Sequence, residues 1–137
     1  MRKFLYFALI LTAFTATVAA QRIENGSRST IGYISASGTV ENGSRSTIGY
    51  INDNGSIENG SRSTIGYIDR SGRVEDGSRR TIGYINDNGT VENGSRSTLG
   101  YVNSNGTVEN GSRSTIGYAV GVNPRHAALF FFFFFNK

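Results

Sequence analysis

The chain has 137 residues, with 14 Lys and Arg against 10 Asp and Glu, 18 Gly, 9 Phe, 7 Tyr, one His, one Pro and neither Cys nor Trp. That length holds no more than one ordinary domain. The absence of Cys excludes a disulfide framework, a thiol nucleophile and a thiolate metal site, and a single His excludes any metal site or charge relay that needs two.

The first twenty residues read as an address. Arg2 and Lys3 are followed by the apolar run Phe4-Leu5-Tyr6-Phe7-Ala8-Leu9-Ile10-Leu11, which continues to about Val18. Val18-Ala19-Ala20 then places small side chains where a signal peptidase requires them. The expectation is a signal peptide over residues 1–20, cleaved to leave Gln21 first. A membrane anchor is the alternative, but the run is shorter than the ~20 apolar residues of a spanning helix. Thr12, Thr15 and Thr17 dilute it further. Without the leader, 12 basic residues face 10 acidic ones, a balance too even to imply a nucleic-acid partner.

Residues 21–120 form a repeat body. Ile23-Glu24-Asn25-Gly26-Ser27-Arg28-Ser29-Thr30-Ile31-Gly32-Tyr33-Ile34 returns at positions 40, 57, 74, 91 and 108, a period of 17 residues. The Glu, Gly, Ser, Arg, Thr, Gly and Tyr of the unit recur in all six copies, and the sixth is incomplete after Tyr118. Two turn signals fall in each period. One is Asn42-Gly43, which predicts a two-residue hairpin turn with positive φ at both positions. The other is the Asn54-Gly55 kind, with Ser37-Gly38 and Ser71-Gly72 as variants. Between them lie a long segment, Ser44 to about Asn52, and a short one, Ser56-Ile57-Glu58. Both are rich in Ile, Val, Thr and Tyr and read as strands.

Alternation puts Ile48 and Tyr50 on one face and Arg45, Thr47, Gly49 and Ile51 on the other, with Val40 opposite Arg45 across the turn. Apolar groups on both faces predict packing on both sides, with Gly49 admitting a close neighbour. An isolated hairpin is marginal in water, so copies must pack on copies. A closed ring fits better than an open row, which usually needs atypical end repeats, whereas the first copy here shows no cap.

Residues 121–137 break the pattern. Asn123-Pro124-Arg125-His126 leads into Ala127-Ala128-Leu129 and six consecutive phenylalanines, Phe130 to Phe135, while the repeats contain no Phe. Fully burying one such ring is worth roughly 1.5–3 kcal/mol. The expectation is that the tail returns to the middle of the ring and fills it. A subunit contact and a membrane or partner contact are the rival readings. Nine apolar residues are too few to span a bilayer as a helix.

The tandem Asn-Gly-Ser-Arg-Ser-Thr-Ile-Gly-Tyr-Ile units ending in His126-Ala127-Ala128-Leu129 and the Phe run resemble the small bacterial β-flower proteins, described as four-fold or five-fold. The resemblance covers about residues 22–137. It implies hairpin petals around a centre and no established activity. Six hairpin signals depart from that copy number and leave the petal count open.

Candidate chemistry is sparse. The Arg ladder (Arg28, Arg45, Arg62, Arg79, Arg96, Arg113) suits anionic groups. Its plainer reading is structural, each Arg cancelled by the Glu four residues earlier, such as Glu41 for Arg45. The Tyr ladder from Tyr33 to Tyr118 suits sugar stacking, but its place beside Ile favours core packing. One Thr per period, Thr30 to Thr115, is too sparse for an ice-binding face. His126 reads as part of a turn into the tail, and Glu41 and Asp53 lack the dense acidic spacing of a calcium loop. The sequence therefore assigns no catalytic, metal or cofactor residues and leaves any ligand-binding residues unknown. It predicts an all-β flower-like ring of 17-residue hairpins around a Phe-rich C-terminal segment. The expected role is an exported, non-enzymatic structural or protein-interaction scaffold of the bacterial envelope, periplasmic or extracellular, with an unknown protein or cell-surface partner, oligomeric state open, and no membrane span after leader removal. A ligand-binding module for an anionic or sugar polymer, acting through the Arg or Tyr ladders, is the alternative.

Overall fold

A computed structural model describes residues 20–136, so the expected leader, apart from Ala20, lies outside the described residues. Twelve short strands follow one another: β1 (Gln21–Asn25), β2 (Thr30–Ile34), β3 (Thr39–Asn42), β4 (Thr47–Ile51), β5 (Ser56–Asn59), β6 (Thr64–Ile68), β7 (Arg73–Asp76), β8 (Thr81–Ile85), β9 (Thr90–Asn93), β10 (Thr98–Val102), β11 (Thr107–Asn110) and β12 (Thr115–Tyr118). Sheet order follows chain order, and β12 pairs with β1, so the sheet closes into an antiparallel barrel. The ring is closed as expected, and it contains six hairpins. The sixth is complete: the Ala119 N–H donates to the Gly106 carbonyl as the Ile51 N–H donates to that of Gly38.

The two kinds of turn share one construction. In Asn52-Asp53-Asn54-Gly55, the Gly55 N–H donates to the Asn52 carbonyl, the Asn52 N–H to the Ser56 carbonyl, and Gly55 takes φ 93°. In Asn42-Gly43-Ser44-Arg45, the Arg45 N–H donates to the Asn42 carbonyl, the Asn42 N–H to the Ser46 carbonyl, and Arg45 takes φ 73°. The expected two-residue Asn42-Gly43 turn is thus corrected. Neither of those residues has a positive φ; the left-handed position belongs to Arg45. The cause is the Asn42 side chain, whose Oδ1 accepts from the Ser44 and Ser46 N–H groups and commits the chain to a longer loop.

The longer loop changes the facing. Val40 pairs with Gly49, and a bulge between Val40 and Glu41 sets Glu41 against Thr47. Val40 is therefore not opposite Arg45, as the two-residue turn required. Gly49 and Ile51 do share the inner face, as alternation predicts. The wall of the core is two rings of branched side chains: Ile23, Val40, Ile57, Val74, Val91 and Val108, fully buried, and the Ile34-Ile51 series, which ends in the smaller Val102 and Ala119.

The tail fills the middle. Asn123 and Pro124 start a short helix, α1 (Pro124–Ala128): the Asn123 Oδ1 accepts from the Arg125 and His126 N–H groups, and Pro124 occupies a first-turn position where its missing N–H costs nothing. This helix was not foreseen in the sequence. From Ala128 the chain widens into a π-helical segment, Leu129–Phe134. Leu129, Phe130 and Phe131 are buried, and Phe132 to Phe135 are half-buried against the same core.

Each Phe meets a different repeat. A β-carbon added at Gly32 would lie 2.9 Å from Phe130 Cζ, one at Gly117 2.5 Å from Phe131, one at Gly100 2.6 Å from Phe132, and one at Gly83 2.5 Å from Phe133. Gly66 faces Phe134 and Gly49 faces Phe135 in the same way. The invariant Gly of the Thr-Ile-Gly-Tyr unit is the space in which an aromatic ring sits. Successive phenylalanines visit the repeats in the order first, sixth, fifth, fourth, third, second.

Candidate functional site

The outer wall carries one arrangement six times. Tyr33 on β2 and Glu41 on β3 are paired across the sheet. Arg45, in the following loop, donates from Nη1 to Glu41 Oε1 at 2.9 Å. It also lays its guanidinium over the Tyr33 ring, 3.7 Å from the centroid. The same three-residue set recurs with Arg62 on Tyr50, Arg79 on Tyr67, Arg96 on Tyr84 and Arg113 on Tyr101, at 3.6 Å. The sixth set closes the ring: Glu24 pairs with Tyr118 between β1 and β12, and Arg28 bonds Glu24 and covers Tyr118.

Each Arg has a left-handed backbone, φ 70–73°, and turns its side chain back over the previous repeat. That conformation costs a non-Gly residue roughly 1–2 kcal/mol. The stack and the ion pair offset it; a guanidinium over an exposed ring contributes about 0.5–1 kcal/mol and an exposed ion pair about 0.2–1.

The ladder residues are therefore placed as follows. Each Arg is tied to the Glu four residues earlier, the structural arrangement anticipated from the sequence. The expectation that Tyr packs in the core is corrected. Tyr50 alternates with the inward Gly49 and Ile51, stands on the outer wall, and is covered by Arg62 rather than by the core. The Arg side chains keep 53% to 65% of their surface in water, so the belt is neutral set by set yet lies at the surface.

Charge follows the same pairing. The Arg96 guanidinium, aided by Asn86, holds the Glu92 carboxyl below its ordinary value, and Arg113 with Asn103 does the same for Glu109. Glu109 in turn raises Arg113. Asp76, which stands where the other copies have Asn, is lowered by the Arg80 N–H, and Asp69 by the Ser71 hydroxyl.

The other rim is where the tail departs from the six-fold pattern. There α1 lies over the Asn-Gly-type turns. Arg125 donates from Nη1 to the Asp69 carbonyl at 3.2 Å and from Nη2 to the Arg70 carbonyl at 3.0 Å, and also reaches Asp87 at 3.5 Å. Beside it is an open cleft of ≈ 540 Å³ lined by Asp53, Asp69, Arg125 and His126. Burial holds His126 below its ordinary value, and the Asp53 charge opposes that shift. Among the described residues no group of three or more His, Asp or Glu is gathered that suits a metal ion. No helix there is long and apolar enough to cross a membrane.

A family model described as 5-fold beta-flower protein matches residues 20–135. The chain belongs to that family. No curated protein and no solved structure matches it. The resemblance read from the Ser-Thr-Ile-Gly-Tyr-Ile units and the Phe run therefore holds for the whole barrel. This β-flower, however, closes with six hairpins, and it carries one tail Phe for each. The sequence contained the count of both, and the pairing went unread because nothing in a linear pattern says that successive tail residues point at successive repeats.

Proposed function

We propose that this β-flower is an exported, non-enzymatic scaffold of the bacterial envelope that presents its rims to a protein or cell-surface partner. The observation that carries the reading is the state of the belt. Each Arg has its carboxylate and its aromatic ring within the molecule, so the groups best suited to a polymeric ligand are already engaged in holding neighbouring repeats together. A sugar stacking on a belt tyrosine would have to displace the Arg that covers it. The repeats are near-identical, which suits a frame more than a reaction centre. The leader-like residues 1–20 supply the export half of the proposal.

The test has two arms. The full-length chain is expressed in a bacterium, the cells are fractionated and the N-terminus of the product is sequenced. A product beginning at Gln21 outside the cytoplasm is expected; one beginning at Met1 in the cytoplasm overturns the export reading. The purified product is then titrated with heparin and with dextran while the tyrosine ring signals are followed by NMR. Unmoved signals are expected. A saturable shift at the six belt tyrosines overturns the scaffold reading in favour of polymer binding.

A further inference from the structure

We propose that the number of phenylalanines in the tail sets the number of repeats the ring holds. Six consecutive residues, Phe130 to Phe135, are shared out one to each of the six inward glycines, with no repeat skipped and none visited twice. Evenly spaced seats on a six-membered ring stand about 60° apart, whereas an α-helix turns about 100° per residue. A regular α-helix of phenylalanines would return to its starting direction after about four residues and leave seats empty. The segment Leu129–Phe134 is wound wider, as a π-helix, which turns less per residue than an α-helix and so moves the rings part of the way toward that spacing. Phe130 and Phe135, the first and last rings of the run, come to adjacent repeats and lie 6.3 Å apart, so five steps along the run carry it past all six seats.

The repeats themselves carry little information about number. The β12–β1 joint uses the same Tyr–Glu pairing and the same Arg stack as the internal joint between β2 and β3. Any copy therefore accepts any other as its neighbour, and a smaller or larger ring would satisfy the belt equally. The tail discriminates. A ring with one seat fewer leaves a phenylalanine without a glycine, and the wall around it offers Val and Ile side chains rather than space. A ring with one seat more leaves a glycine facing a cavity.

The experiment is a four-member set: the parent chain, a chain lacking Phe135, a chain lacking residues 40–56, and a chain lacking both. Residues 40–56 are one full period and contain Gly49, the seat of Phe135, and their removal spares Asp69, Arg70 and Asp87, which anchor Arg125. Each is purified, sized in solution and melted. Both single deletions are expected to melt lower than the parent. The double deletion is expected to be a monomer that regains at least about 5 °C of the midpoint lost by the repeat deletion alone, a shift readily resolved for a domain of this size. If the repeat deletion does not fold, a folded, monomeric double deletion is the same result in stronger form. A double deletion that melts no higher than the repeat deletion, or that itself fails to fold, overturns the proposal.

Discussion

The guanidinium carbon of Arg28 stands 3.6 Å from the centre of the Tyr118 ring, which fastens the first hairpin loop to the last strand. At every other joint a turn already links the two strands covalently. Here only two residue pairs, Glu24 with Tyr118 and Asn25 with Gly117, and this stack hold them. Arg28→Gly gives up a stack worth about 0.5–1 kcal/mol and an ion pair worth about 0.2–1 kcal/mol but also relieves the roughly 1–2 kcal/mol of left-handed strain, so its net cost is expected to stay below about 1 kcal/mol. Arg62→Gly, at the turn-linked joint between β4 and β5, is expected to cost less. Urea melts of the two variants make the comparison, and equal losses would show that the seam is no weaker than its neighbours.

The backbone at Arg62 has φ 71°. Arg62→Ala and Arg62→Gly remove the same contacts to Glu58 and Tyr50. Only Ala keeps a β-carbon in the left-handed region, so the Ala variant is expected to be less stable by about 1 kcal/mol. A Gly variant no more stable than the Ala one contradicts the strain at this position.

A β-carbon at Gly66 would lie 2.7 Å from the Glu75 carbonyl oxygen and would overlap the Phe134 ring. Gly66→Ala is expected to lower stability by about 1–3 kcal/mol, as overpacking does elsewhere. Adding Phe134→Leu should recover part of the loss and no more, because the backbone oxygen cannot retreat with the ring. Full recovery in thermal melts would place the whole conflict on the side chain.

Arg125 fixes the rotation of the plug. The six glycine seats are alike, and the bonds from Arg125 to the Asp69 and Arg70 carbonyls tie α1 to one turn, with Asp87 of the next turn 3.5 Å away. Arg125→Ala is expected to cost about 1–3 kcal/mol and to split or broaden the Phe130–Phe135 ring signals in NMR spectra. A single sharp set of ring signals would mean that the Ala119–Asn123 connection is sufficient by itself.

Acid should weaken the fold in two stages. Burial, against the opposing charge of Asp53, lowers His126 from 6.5, so its contribution is complete above that value and is lost as pH falls through the lower folded one. Asp69, Asp76, Glu92 and Glu109 are also lowered, from 3.8 for the Asp and 4.5 for the Glu residues, by hydrogen bonds to their carboxylates. Their contribution is complete above those values and is lost further into acid. Melting midpoints measured from pH 8 to pH 3 should fall below pH 6.5 and again below 4.5. His126→Gln should abolish the first fall and leave the second. A first fall that survives this change would assign it to another group.

Much of this was legible in the residues. The period of 17, two strands per period, closure into a ring and the return of the Phe run to its centre follow from repetition, β-branched composition and the impossibility of leaving six aromatic rings in water. What escaped was decided by single side chains. Asn42-Gly43 has the form of a tight turn, but two extra hydrogen bonds to the Asn42 side chain lengthen it and hand the left-handed position to Arg45. The cue was available in the four-residue match between Asn42-Gly43-Ser44-Arg45 and Asn52-Asp53-Asn54-Gly55, which aligns Arg with Gly. Tyr50 reads as core because it shares a face with Ile48; the structure instead covers the ring with the Arg62 guanidinium. The Asn123-Pro124 helix start was a recognisable signal that the surrounding strand pattern obscured.

The seam between β1 and β12 has a consequence in time. Eleven of the twelve strand pairings join chain neighbours and can form as soon as a turn does. The twelfth must bring together segments from opposite ends of the body, and it bears the whole entropy of closing that long loop. Refolding should therefore run as rapid local zippering followed by one slow, late step, and changes at Arg28 or Tyr118 should alter the rate of that step while leaving the earlier ones untouched.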